Sequence, residues 1–238
     1  MRAFKRVRVI AQEAKAIIDN FEDDAVIVDI GSDHGYIAEQ IVRMPKAKKV
    51  IATDISQKCL DKVSKLKDDC GYTKLETRLG DGLNAIDKAD LCIIAGIGGN
   101  EIQKMLEKQN LTPNGNKCNK FILQPSEDVI MLRKWLYKNA FVEKDYVFEC
   151  AKRFYSLIVV SLDITKRKKM SKFAKFFGND TNKNSIDFKN YLCYIRKNLN
   201  FVETLNVEQV KQKKCKETIE LYEYAKLILE QIGGRNVR

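Results

Sequence analysis

Between residues 25 and 138, five short β-rich apolar runs alternate with helical patterns, and the first four lead into an acidic residue or a glycine. The runs are Ala25–Asp29, Val50–Asp54, Leu75–Leu79, Ala89–Ala95 and Lys120–Gln124. Such alternation implies a parallel, doubly wound sheet covered on both faces by helices. Helices are expected directly after the first run, from Ser56 as cap to about Asp69, from Asn100 to Lys108 and from Val129 to Lys138. An opening amphipathic helix places Val7, Ile10, Ala11, Ala14 and Ile17 or Ile18 on one stripe. Two further β-rich runs, 141–150 and 154–163, leave no room for a helix between them, so an antiparallel pair is expected to close the sheet.

The first strand–helix junction reads Val28-Asp29-Ile30-Gly31-Ser32-Asp33-His34-Gly35-Tyr36. An acidic strand end, glycine at a tight turn and a helix directly after it form a nucleotide-cofactor loop. A dinucleotide needs bare backbone N–H groups for its pyrophosphate, and carboxylates at Asp29 and Asp33 repel that anion while attracting a cationic sulfonium. Asp54 ends the second run, where a carboxylate accepts hydrogen bonds from ribose hydroxyls. Gly80-Asp81-Gly82 follows the third, placing a carboxylate for an adenine amino group. Ala95-Gly96-Ile97-Gly98-Gly99 ends the fourth, and its glycines are expected to leave open space beside the reactive end of the cofactor. His34, the one histidine of the chain, reads equally as a polar contact near that end or as a helix-start residue pointing away.

Composition narrows the partners. The chain of 238 residues carries a formal net charge of +11. Residues 163–238 hold 17 basic and 9 acidic side chains, so +8 of the excess lies there. The segment from 166 is expected to be a helical appendage, with patterns at 185–200 and 207–232 that bury too little for a core of their own. Its charge reads as a solvated helical hairpin or as a surface for a polyanion. Seven scattered cysteines without a C-x-x-C pair indicate neither a disulfide framework nor a metal site. No run of about 18 uncharged apolar residues suggests a membrane span. The basic opening segment lacks the apolar core of a secretory signal, so a cytoplasmic location is expected.

Asp29-Ile-Gly-Ser-Asp-His34 with Tyr36, Gly80-Asp-Gly-Leu83, Ile94-Ala-Gly-Ile-Gly-Gly99, Leu123-Gln-Pro125 and Leu132-Arg-Lys-Trp-Leu136 closely resemble the bacterial tRNA (adenine-22-N1)-methyltransferase family. The likeness extends to Arg6 with Val7, Ile10 and Ala11, and to Phe176-Phe-Gly178. It implies an α/β fold, a Rossmann-like class I methyltransferase sheet with a C-terminal α-helical hairpin. Residues 1–165 would be the S-adenosylmethionine-binding domain and 166–238 a coiled-coil-like, tRNA-contacting one. The implied activity is methyl transfer from S-adenosylmethionine to N1 of an adenine in the D-arm of tRNA, with no metal. Asp29, Gly31, Ser32, Gly35, Asp54, Asp81, Gly82, Ala95, Gly96, Gly98 and Gly99 would hold the cofactor. Asp33 and His34 would stand nearest the chemistry, with Arg6, Gln124 and Tyr155 on the substrate side. The chain departs from the family pattern at Ser126, at Asn179, and at Ser156, where a glutamate commonly follows the tyrosine.

Three readings stay open on residues alone. One is a cofactor-binding, RNA-binding module without catalysis; another is a methyltransferase for a different RNA. The third, an oxidoreductase on the same sheet, is disfavoured by the acidic first loop. For Asp33 a chemical role competes with simple capping of the first helix after the loop.

Overall fold

The computed structural model describes residues 3–108, 117–205 and 213–233. The first helix α1 (Ala3–Ile18) is followed by β1 (Ala25–Ile30), α2 (Tyr36–Val42), β2 (Ala47–Asp54), α3 (Gln57–Cys70) and β3 (Leu75–Leu79). Then come β4 (Leu91–Ile97), α4 (Gly99–Glu107), β5 (Lys120–Pro125), α5 (Val129–Asn139), β6 (Phe141–Cys150) and β7 (Arg153–Ser161). Three helices follow: α6 (Lys172–Phe177), α7 (Ile186–Asn198) and α8 (Lys213–Gly233). The expected start of the last helix at Val207 lies outside the described residues.

The strands form one sheet in the order β3-β2-β1-β4-β5-β7-β6. β1 to β5 pair in parallel, and β7 runs antiparallel to β5 with Phe121 opposite Val160. Chain order reverses between β1 and β4, which opens a crevice beyond their C-terminal ends. β1 and β4 are apolar throughout their buried length because helices cover both faces, leaving Asp29 as the buried charge of β1.

The chain divides into two compact units, Met1–Tyr146 with Tyr155–Asp180, and Val147–Phe154 with Thr181–Arg238. The core of the first includes Val28, Ile30, Ile94, Phe121, Leu123, Leu132 and Leu136, all essentially free of solvent. Each such side chain stabilises the fold by about 1.5–3 kcal/mol relative to exposure. α1 contributes Val7, Ile10, Ala11, Ala14 and Ile18, the stripe expected from its spacing.

The division differs from the expected boundary between 165 and 166 for a physical reason. Arg133 of α5 is fully buried and grips Asp145 through two nitrogens, its Nη2 donating to Oδ1 at 2.8 Å and its Nε to Oδ2 at 2.9 Å. Its Nη1 donates to the Phe176 carbonyl at 2.8 Å, and Asp180 N donates to the Asp145 carbonyl at 2.7 Å. These bonds stitch residues 166–180 to the first unit. Arg133 Nη2 also donates to Ser156 Oγ at 3.1 Å, which is what the departure at Ser156 does here. α6, capped by Ser171, was not anticipated: six residues give too few turns for a helical period to register.

In the second unit the outer ends of β6 and β7 are tied to α7 and the turn before it. Val147 N donates to Thr181 Oγ1 at 2.9 Å, Glu149 N to Asp187 Oδ2 at 3.0 Å, and Asn190 Nδ2 to Glu149 Oε2 at 2.8 Å. Phe188, Leu192 and Ile195 of α7 are buried, as are Val202 and, on α8, Tyr222, Ala225 and Ile228. The helices therefore do form a small compact unit, contrary to expectation, because strand residues 147–154 complete it. The two-residue turn of the hairpin puts Ala151 at φ 51 and Lys152 at φ 63, each costing on the order of 1 kcal/mol for a residue with a Cβ. Among the described residues no helix is long and apolar enough to cross a membrane, and no group of His, Cys, Asp and Glu gathers to hold a metal ion.

Candidate functional site

The loop after β1 is held against the end of β2 by its own backbone. Gly31 N and Ser32 N both donate to the Thr53 carbonyl, at 2.9 and 3.0 Å, and Gly35 N donates to the Ser32 carbonyl at 2.8 Å. Asp29 is buried beneath the loop and braces it: its Oδ2 accepts from Ser32 Oγ at 2.7 Å and from Ala38 N at 3.3 Å. Burial pushes its pKa up to about 6, with the nearby Asp54 charge adding to the rise against the Ser32 and Ala38 bonds and the Arg6 charge. Asp54 ties loop to strand, since its Oδ2 accepts from Asp33 N at 3.1 Å and its Oδ1 from Ser56 N at 2.9 Å. Each carboxylate oxygen keeps a lone pair for a further donor.

Asp33 occupies the left-handed region at φ 46, one of the few non-glycine residues to do so. Its carboxylate does not cap α2; Gly35 stands at the cap position, and no side chain bonds there. Instead Oδ2 meets His34 Nδ1 at 2.7 Å, and Oδ1 meets Cys59 Sγ and Lys62 Nζ, both at 3.4 Å. Burial alone raises the Asp33 carboxyl, but the bonds from His34, Cys59 and Lys62 prevail and hold it below its ordinary value. Lys62 Nζ also lies 3.3 Å from His34 Nε2. An ammonium only donates, so Nε2 is the acceptor and the His34 proton sits on Nδ1, facing Asp33. The imidazole stacks on Tyr36 with ring centroids 5.5 Å apart. His34 therefore turns toward the Asp33 carboxylate and Lys62.

Across the crevice, Arg6 Nη1 donates to Gln124 Oε1 at 2.9 Å, and the guanidinium carbon lies 5.9 Å from the centre of the Tyr155 ring. Gln124 is 0% exposed and its Nε2 donates to the Pro125 carbonyl at 2.8 Å. It is thus a positioning residue for Arg6 and out of reach of a substrate, a correction to its expected place. The glycines after β4 have close neighbours of their own. A Cβ on Gly99 would lie 2.8 Å from the Asp128 carbonyl oxygen, so glycine there admits a close backbone approach. A Cβ on Gly96 would come within 3.3 Å of Arg6 Nη1. Arg6 and the Glu127–Asp128 turn border this strand end, where Gly96 is exposed and Ala95 and Gly98 are half-buried. Asp81 is exposed and pairs loosely with Lys108 Nζ at 3.5 Å, next to Gly82, which opens a 3-10 turn.

The structure thus gathers Asp29, Gly31, Ser32, Asp33, His34 and Asp54 into one bonded cluster, and Arg6, Gln124 and Tyr155 into another. Sequence reasoning missed Cys59, Lys62 and Lys108. Cys59 and Lys62 lie three apart on one face of α3, a spacing visible beforehand, but only the fold brings that face to Asp33.

The model of the methyltransferase-domain family matches residues 10–158 of the chain. The tRNA (adenine(22)-N(1))-methyltransferase of Bacillus subtilis (strain 168) is 33% identical over 141 residues. That alignment covers 58% of this chain and 58% of the relative, so the chain spans less than two thirds of the curated enzyme it matches. Among solved structures, TrmK of M. capricolum, in complex with the cofactor product S-adenosyl-homocysteine, superposes with a TM-score of 0.73 at 24% identity. It covers 94% of this chain and 97% of that one. The B. subtilis M1A22 tRNA methyltransferase TrmK gives a TM-score of 0.67 at 24% identity, covering 94% and 97%. Both share the fold.

Proposed function

The chain belongs to the methyltransferase-domain family, and from that premise we propose that it transfers a methyl group from S-adenosylmethionine to N1 of an adenine in the D-arm of tRNA, position 22. The observation that carries this reading is the acidic cluster at the switch point, where Asp29, Asp33 and Asp54 surround a glycine loop. A pyrophosphate has no place among three carboxylates, whereas a cationic sulfonium, ribose hydroxyls and an adenine amine all find acceptors. When bound, S-adenosylmethionine supplies a methyl group activated by the positive charge on sulfur.

The residues of the chain divide the remaining work. Asp54 accepts from the ribose hydroxyls with the lone pairs its backbone partners leave free, and Asp81 accepts from the adenine amine. Gly31, Ser32, Gly35, Gly82, Ala95, Gly96, Gly98 and Gly99 form the cradle. Arg6, fixed by Gln124 and resting near Tyr155, orients the incoming nucleotide. Asp33 is the residue nearest the chemistry: methylation at N1 leaves the ring cationic, and a carboxylate held ionised by Lys62 and His34 stabilises that charge or accepts the amine proton. The basic helical unit grips the tRNA, and a cytoplasmic location fits that substrate.

Titration with S-adenosylhomocysteine and with NAD, followed by label transfer from methyl-labelled S-adenosylmethionine to an unmodified tRNA transcript, tests the reading. Binding of the first, no binding of the second and label in tRNA are the expected results. NAD binding or an unlabelled tRNA would defeat it.

A further inference from the structure

The hairpin turn and α7 of the second unit present features that the cofactor loop does not use. Phe154 packs against two tyrosines of α7, with ring centroids 5.0 Å from Tyr191 and 5.3 Å from Tyr194. The Tyr194 ring meets Phe154 at a tilt of 50°, and the residue remains 49% exposed. Lys152 and Arg153 at the turn and Lys197, one helical turn beyond Tyr194, are exposed, and none enters an ion pair among the described residues. The nearby carboxylates take hydrogen bonds from neutral donors, Asp187 from Glu149 N and Glu149 from Asn190 Nδ2. Asn-Gly is the ordinary choice for a two-residue turn with both residues at positive φ. Here the turn keeps a lysine despite the strain, so the cation is retained where glycine would be easier.

We infer that the β6–β7 turn and the Tyr194 face of α7 form a docking patch for an unpaired nucleotide of the substrate tRNA, separate from the methyl-transfer site. An exposed aromatic face steadied from behind is a stacking platform for a base of any identity, and free cations beside it meet the flanking phosphates. The charge is complementary to a polyanion, and a rigid aromatic wall adds what a merely basic surface lacks. The inference rests on the tRNA reading given above.

The test uses the full chain and an unmodified tRNA transcript, with affinity measured at several salt concentrations. Tyr194→Leu keeps apolar bulk against Phe154 but removes the stacking face, and should weaken binding about tenfold. Tyr194→Phe should bind like the wild type. Lys152→Asn with Arg153→Gln should lower the slope of log affinity against log salt by about 1.5, the contribution of two phosphate contacts. Asparagine tolerates the left-handed turn, and melting temperatures within a degree or two of wild type exclude misfolding as the cause. If the wild type binds tRNA but either Tyr194→Leu or the charge variant binds with the same affinity and slope as wild type, the patch is overturned. If the wild type itself does not bind tRNA, the tRNA reading fails and takes the patch with it.

Discussion

Around the β1 loop nearly every charge has a partner, whereas at the β6–β7 turn neither Lys152 nor Arg153 enters an ion pair among the described residues. Asp29 holds Ser32 and Ala38, Asp54 holds the backbone of Asp33 and Ser56, and Asp33 holds His34, Cys59 and Lys62. Lys152, Arg153 and Lys197 stand in solvent. The difference teaches what each region is built to meet. A bonded polar cluster fixes the orientation of its groups, as a small cofactor and an in-line transfer require. Free cations over a hydrated surface gain most from phosphates, through counterion release, and need little prior geometry.

The contrast breaks most visibly where the first unit is most tightly bonded. Asp145→Ala leaves the Arg133 guanidinium buried and uncompensated and should cost about 3–5 kcal/mol in denaturant unfolding. Lys152→Asn should change stability by less than about 0.5 kcal/mol. Comparable losses for the two would erase the distinction between them.

Next is Asp29, whose folded pKa of about 6 exceeds the ordinary value of 3.8. An acid raised by folding binds its proton more tightly in the native state, so stability falls as pH rises from about 4 to about 6 and is level above. The loss amounts to about 3 kcal/mol on the scale of 1.36 kcal/mol per pK unit. Asp29→Asn does not titrate, so its stability relative to wild type should improve over that window, checked by unfolding at pH 4.5 and pH 7. A pH-independent difference would contradict the buried charge.

Asp33→Asn keeps a residue that tolerates φ 46 while removing the negative charge. Methyl transfer should fall about a hundredfold, near 2.7 kcal/mol, with the melting temperature almost unchanged. Normal turnover would leave Asp33 a holder of Lys62 and His34 only. At Asp54→Ala, S-adenosylhomocysteine binding should weaken by about 1–3 kcal/mol in calorimetry as ribose and loop lose an acceptor. Unchanged affinity would remove Asp54 from the cofactor site.

The two regions also differ in how far the sequence discloses them. β1 to β5, α3 and the carboxylates at the ends of β1 and β2 and in the turn after β3 could be read directly, because most buried parallel strands are continuous apolar runs and their C-terminal ends mark the crevice. Asp33 was legible as a carboxylate of the acidic loop, but its partner Lys62 was not, being 29 residues away and brought there by the packing of α3. Gln124 looked like a substrate contact because its environment, a fully buried place beneath Arg6, is a property of the fold. The hairpin patch left no local signal at all: Phe154 on a strand and Tyr194 on a helix become one surface only in three dimensions.

The central claim is chemical, so the most direct measurement is nucleoside mapping. An unmodified tRNA transcript is incubated with the protein and S-adenosylmethionine, then digested with a base-specific ribonuclease and its fragments resolved by mass spectrometry. The account predicts one added methyl group, on N1 of a single D-arm adenine, and its loss when that adenine is replaced by guanine. Methylation of an exocyclic amine or of a pyrimidine, or no methylation by protein that binds S-adenosylhomocysteine, would contradict it.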